Sequence, residues 1–145
     1  MAGDDADRAV ALGEAVSRIV AIGVGCRAGV AGEAIAALAR RALAEFGEPK
    51  GELRVFTLDA KATDAGVIEA ARLIGAKLVP LPLTALQAQA GRLLTPSRAA
   101  EARFGAPNVA EAAALAGAGA GARLLGPRLA EAGATCAIAL SAENP

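Results

Sequence analysis

The sequence predicts a single three-layer α/β/α domain with a mostly parallel sheet and a C-terminal antiparallel hairpin, hence a mixed sheet. Three observations carry this expectation. Short β-branched runs alternate with helical stretches over the first half, and a β-α-β-α-β order favours a parallel sheet. The 145-residue chain is 54% hydrophobic but only 2% aromatic, so its core is built from Ala, Val, Leu and Ile, residues that let helices pack closely on a sheet. Near the C-terminus, two strand-like segments are separated by about six residues, too few for a helical crossover.

Residues 2–17 are polar and helix-prone, begin acidic (Asp4, Asp5, Asp7) and lack a bulky apolar stripe, so they are expected to form a flexible extension to a domain spanning 18–145. RIVAIGV (18–24) is short, β-branched and ended by glycine, the pattern of a buried strand. Over residues 30–46, Ile35, Leu38, Ala42, Leu43 and Phe46 share one helical face, with Gly47 as the stop. GEPKGE (47–52) reads as a turn and LRVFTLD (53–59) as the second strand. A helix over about 64–74 follows, with Thr63 or Asp64 as cap and Gly75 as terminator. KLVPLP (77–82) reads as a third strand whose prolines place it at an end or an edge.

The second half is predicted to hold a short helix near Thr84–Gln89, then one over 95–105 with Thr95 as cap and Pro96 at its first position. Another runs over 107–117, with Asn108 as cap and Glu111 three residues later as in a capping box. GAGAGA (117–122) is a connector. ARLLGPR (122–128) and TCAIALS (135–141) are the two strands of the hairpin.

Composition removes several functions. The chain contains no His, so Ser-His and Cys-His nucleophile pairs are excluded. Its two cysteines, Cys26 and Cys136, make neither a disulfide scaffold nor a structural zinc site, and no metal site is expected. With no Trp or Tyr there is no broad platform for stacking bases, and zero net charge argues against a nucleic-acid partner. The acidic start is unlike a secretory signal, and no run of about 18 apolar residues suggests a membrane helix, so the cytoplasm is the expected location with no membrane partner. Most of the 15 basic residues are Arg, which grips carboxylate or phosphate in a two-pronged contact. They cluster in residues 72–130, where Arg72, Lys77, Arg92, Arg98, Arg103, Arg123 and Arg128 face only Glu101 and Glu111. A solvated surface accounts for such a cluster equally well; a ligand with several anionic groups is the alternative.

The stretch AIGVGCRAG (21–29) raises the most specific question. A strand ending in glycines before a helix leaves backbone N–H groups free, and the helix terminus adds partial positive charge, which together make an anion site. Gly23, Gly25, Cys26 and Arg27 are the candidate residues; a tight turn without ligand is the competing reading. The spacing Gly23-x-Gly25-x-x-Ala28 also fits a dinucleotide fingerprint, which requires an acidic residue about 20 positions on. Asp59 closes the second strand but lies 31 residues beyond Ala28, which places a nucleotide second. A second polar cluster, Thr57, Asp59, Lys61, Asp64 and Gly66, belongs to the equivalent end of the second strand. Neighbouring parallel strands end side by side, so the 23–29 and 57–66 loops should face one crevice. There Asp59 and Lys61 offer a proton acceptor and a cation; the bland alternative is a surface ion pair.

The order GVGCRAG (23–29), T-x-D-x-K-x-x-D-x-G (57–66), TPS (95–97), N-V-A-E-A-A-A (108–114), then RLLGPR with TCAIAL, resembles the CobE / CbiG C-terminal family of cobalamin biosynthesis, over about residues 19–139. The sequence departs from that pattern at Ala28, where a second basic residue is frequent, at Asp64, where Glu is common, and at Asn108 in place of a serine. The resemblance implies an α/β fold, no cofactor, and a modified tetrapyrrole ligand, a precorrin or corrin intermediate, with other enzymes of that pathway as further partners. It adds Thr95 and Ser97 to the candidate binding residues. Longer members resemble enzymes that open a precorrin lactone and release acetaldehyde; on that reading Asp59 is the base, with Lys61 beside it, and the Gly23–Arg27 amides form the oxyanion hole. Three functions therefore stand: tetrapyrrole binding, lactone hydrolysis, and a nucleotide- or partner-binding module.

Overall fold

A computed structural model describes residues 18–142, so the expected extension over residues 1–17 lies outside the described residues. Strand β1 (Ile19–Cys26) leads to helix α1 (Gly32–Glu45), then β2 (Glu52–Leu58), a 3-10 turn (Asp59–Lys61), α2 (Ala65–Ile74) and β3 (Lys77–Leu81). The second half runs α3 (Leu83–Gln87), a second 3-10 turn (Ala90–Arg92), α4 (Arg98–Phe104), α5 (Val109–Ala118), β4 (Arg123–Leu124), β5 (Leu129–Glu131) and β6 (Ala134–Leu140).

The sheet has the order β3-β2-β1-β6-β4, with β5 also on β6. β1, β2 and β3 are parallel, with Ile22 opposite Val55 and Phe56 opposite Val79. β6 returns antiparallel to β1, with Val24 opposite Cys136. The mixed sheet is thus as the sequence predicts, and Pro80 sits on the edge strand, where its missing N–H costs no central ladder bond. Alternation along β1 divides the core. Val20, Ile22 and Val24 face α1 and α2, while Ala21 faces α5 together with Ala137 and Ala139 of β6.

Local signals account for most element ends. The Asp64 carboxylate accepts from the amides of Gly66 (2.9 Å) and Val67 (3.2 Å), capping α2, and Gly75 closes that helix at φ 80°. Asn108 caps α5 through the Glu111 amide at 2.9 Å. The β5–β6 turn is two residues, Ala132 and Gly133, both with positive φ, as the twist of a tight hairpin requires.

Three expectations are corrected. The cap of α4 is Ser97, whose Oγ accepts from Ala100 N at 3.1 Å; Thr95 lies before the helix, its hydroxyl engaged elsewhere. The predicted strand 122–128 is broken, for Leu124 lies opposite Ala139 but Leu129 opposite Cys136, so five steps of one strand span three of the other. Pro127 has no N–H for the ladder, and the Arg128 amide turns away to the Glu111 carboxylate. Finally, Gly23 and Gly25 lie within β1, paired to Ala137 and Thr135, and the turn begins only at Arg27.

Candidate functional site

β1 and β2 end side by side at Cys26 and Leu58, and the loops leaving them form one wall of a cleft of about 520 Å³. Arg27 and Lys61 both line it, so the two loops share a site as the parallel order predicts. The β5–β6 hairpin, which adjoins the end of β1, and residues of the segment from Ser97 to Val109 complete the lining. The volume lies within the roughly 300–1,000 Å³ of small-molecule sites.

Backbone packing sets this shape. The Arg27 amide donates to Gly133 O at 2.9 Å, which latches the loop after β1 onto the hairpin. Gly25 leaves room for Thr135, whose Oγ1 would be 2.9 Å from a Cβ at that position. Cys26, Leu58, Phe104, Pro107 and Val109 give the cleft apolar surface. Four cations stand around it, Arg27, Lys61, Arg103 and Arg128. Among the described residues, the one carboxylate in the lining, Glu131, is ion-paired with Arg41.

Of the sequence-predicted site residues, Gly25, Cys26, Arg27, Lys61 and Ser97 line the cleft. The others serve different purposes. Gly23 is fully covered by α5, where a Cβ would stand 1.9 Å from Ala110 O, so it is the contact point of helix and sheet. Thr57 is buried and donates to Val24 O at 2.8 Å, tying β2 to β1. Asp59 opens the 3-10 turn as an exposed residue and is not part of the cleft lining, although its neighbours Ala60 and Lys61 are. Asp64 and Gly66 belong to a smaller cavity of about 310 Å³ that they share with residues 29–32, the start of α1. The expected anion nest is therefore corrected. The N-terminus of α1 opens on that second cavity, which already has a carboxylate at its rim, and the Arg27 amide is spent on Gly133.

Thr95 is outside the cleft lining but holds the residues that line it. Its hydroxyl donates to Glu111 Oε2 (2.6 Å) and accepts from Asn108 Nδ2 and Arg128 Nη1, both at 2.8 Å, which uses its full hydrogen-bonding capacity. Glu111 is completely buried. Instead of returning to its own helix start as a capping box would, its carboxylate accepts from the amides of Leu94 (2.8 Å), Thr95 (3.0 Å) and Arg128 (2.9 Å) and from the Thr95 hydroxyl. Arg103 and Arg128 are the site residues that sequence reasoning did not select. The excess of arginine over residues 72–130 was the signal, but only the folded chain brings these two to the cleft.

Chemically the site presents cationic side chains beside apolar surface; it does not present an activated nucleophile. Burial, with the nearby negative charge of Asp64, pushes the Cys26 thiol up despite an opposing effect of Lys61. Burial alone pushes Cys136 up to about 12. Both thiols stay protonated near neutral pH. Among the described residues no group of three or more His, Cys, Asp or Glu side chains is placed to hold a metal ion, and no helix is long and apolar enough to cross a membrane.

Comparison with known proteins agrees with this architecture. Residues 20–139 match the sequence model of the family described as "Cobalamin synthesis G C-terminus". The chain is 40% identical over 119 residues to Protein CobE of Sinorhizobium sp., covering 81% of this chain and 77% of that protein. The crystal structure of CobE, a protein from the cobalamin (vitamin B12) biosynthetic pathway, superposes with a TM-score of 0.79 at 32% identity, covering 88% of this chain and 94% of that one. The cobalamin biosynthesis protein chiG from Agrobacterium tumefaciens str. C58 superposes with a TM-score of 0.64 at 38% identity, covering 86% and 99%. With the family match spanning nearly the whole described fold, the chain belongs to the CobE / CbiG C-terminal family of cobalamin synthesis.

Proposed function

We propose that this protein binds a modified tetrapyrrole of cobalamin synthesis, a precorrin or corrin intermediate, in the cleft between the β1 and β2 loops and the β5–β6 hairpin. The observation that carries this reading is the charge pattern of the cleft, in which four cationic side chains surround apolar surface and the one acid is already paired. A precorrin has the complementary pattern, a large ring with acetate and propionate arms at its rim. Binding is favoured over lactone hydrolysis because Asp59, the predicted base, lies outside the cleft lining. A nucleotide reading loses its motif, since Gly23 and Gly25 are strand residues and Gly23 is covered by a helix.

Uroporphyrin, which carries the full set of acetate and propionate arms, is a suitable probe, with coproporphyrin, whose acetates are replaced by methyls, for comparison. Fluorescence titration is expected to give tighter binding of uroporphyrin than of coproporphyrin, weakening as salt is added, and no comparable binding of NAD. Arg27→Ala should weaken uroporphyrin about ten- to a hundredfold, since a bond to a charged group contributes about 1.5–3 kcal/mol. Arg27→Lys should restore only part, because an ammonium lacks the two-pronged contact. Equal affinities of wild type and Arg27→Ala at low salt would remove Arg27 from the site, and NAD binding as tight as uroporphyrin would overturn the assignment.

A further inference from the structure

The four cations of the cleft are not equivalent. Arg27 and Arg103 are exposed, and Arg103 is stacked over the Phe104 ring at 5.4 Å. Lys61 has Asp64 at 4.0 Å. Arg128 differs from all three. It is half-buried, and it is held at two points: its backbone amide donates to Glu111 Oε2 at 2.9 Å, and its Nη1 donates to Thr95 O at 3.1 Å and Thr95 Oγ1 at 2.8 Å. These partners fix the guanidinium without a direct ion pair, the Thr95 hydroxyl standing between it and the Glu111 carboxylate. Glu111 receives only the backbone amide of Arg128, and among the described residues no carboxylate lies within ion-pair distance of the guanidinium. The donors on Nε and Nη2 have no partner among the described residues, and Arg128 is part of the cleft lining.

A cation held rigid and partly desolvated, with no direct ion pair and with donors to spare, is a preorganised anion receptor, because its ordering cost is met in folding rather than on binding. The opposite face of the network is closed to ligands. The Thr95 hydroxyl and the Glu111 carboxylate are both fully occupied, and Asn108, held between them, donates to Thr95 and accepts from the Glu111 amide. Among the described residues, the unfilled side-chain donors of the cluster are those of Arg128.

We propose that Arg128 is the anchoring residue for a peripheral carboxylate of the ligand and that Thr95 is its positioning residue, buttressed by Asn108 and Glu111. This rests on the tetrapyrrole-binding reading and assigns within it the residue that fixes ligand orientation. The exposed Arg27 and Arg103 then adapt to the remaining arms.

A double-mutant cycle with uroporphyrin tests this. Arg128→Gln keeps the backbone bond to Glu111, so it should fold, as checked by its melt; it should weaken uroporphyrin about ten- to a hundredfold. Arg128→Lys should stay at least about tenfold weaker than wild type, because an ammonium cannot fork between Thr95 and a carboxylate. Thr95→Val should weaken binding roughly three- to tenfold in the wild-type background, and less than about twofold when Arg128 is already Gln, since the two act through one contact. A folded Arg128→Gln with wild-type affinity would overturn the anchor while leaving the proposed function standing. Equal losses from Thr95→Val in both backgrounds would overturn the positioning role. Failure of the wild type itself to bind uroporphyrin would remove the functional reading and this inference together.

Discussion

Glu111→Ala is expected to cost about 4 kcal/mol or more, a large part of the roughly 5–15 kcal/mol that stabilises a domain of this kind. The buried carboxylate accepts from three backbone amides and one hydroxyl, those of Leu94, Thr95, Arg128 and Thr95 Oγ1. Each donor left buried without a partner costs about 1–3 kcal/mol, and the truncated side chain leaves a cavity as well. Glu111→Gln should be milder, because its amide oxygen still accepts from Leu94 and Thr95 while its NH₂ confronts two donors. Denaturant unfolding measures the loss. Hydrogen exchange reports its origin, since the amides of Leu94, Thr95 and Arg128 should be protected in the wild type, whereas in Glu111→Gln the Arg128 amide should become fast and those of Leu94 and Thr95 stay protected. A loss under about 1 kcal/mol for Glu111→Ala would mean that water replaces the carboxylate at this junction.

Gly23→Ala should be nearly as damaging, although it adds only a methyl group. A Cβ at Gly23 meets Ala110 O at 1.9 Å and Ala114 N at 2.6 Å, both backbone atoms of α5, so no side chain can rotate out of the way. Helix and sheet must separate, which costs about 3 kcal/mol or more and lowers Tm by roughly 6–12 °C. Gly25→Ala is the control. Its Cβ comes within 2.9 Å of the Thr135 hydroxyl, a side-chain atom that can move, so the melt should fall far less. The order of the two melts separates a packing glycine from a cleft glycine within one motif; a Gly23→Ala melt as high as that of Gly25→Ala would place α5 farther from β1.

These two results also show where the sequence was readable. The β-α-β-α-β half, the Asp64 and Asn108 caps and the Gly75 terminator follow from periodicity and from side chains acting on their own backbone, which are local effects. The Gly-x-Gly motif misled because its meaning depends on a helix more than eighty residues later. The Ala-rich composition of α5 is what permits so close an approach, and it makes Gly23 a packing residue. Thr95 looked like a helix cap for the same local reason that makes Ser97 the true one. Its hydroxyl is drawn instead to Glu111, a tertiary partner that no local pattern shows. The site was half legible. Arg27 and Lys61 follow from the parallel order of their strands, whereas Arg103 and Arg128 arrive through the packing of α4 and the broken edge beside β6.

The central claim is that the cleft, rather than the N-terminus of α1, receives the polyanionic ligand. The most direct measurement is an amide NMR titration of the ¹⁵N-labelled wild type with uroporphyrin at low salt. Shifts concentrated at Cys26, Arg27, Lys61, Ser97, Arg103 and Arg128, with ring-current displacements near Phe104 and Val109, are the predicted result. Shifts concentrated at residues 29–32 and 64–66, or no saturable shift at all, would contradict it.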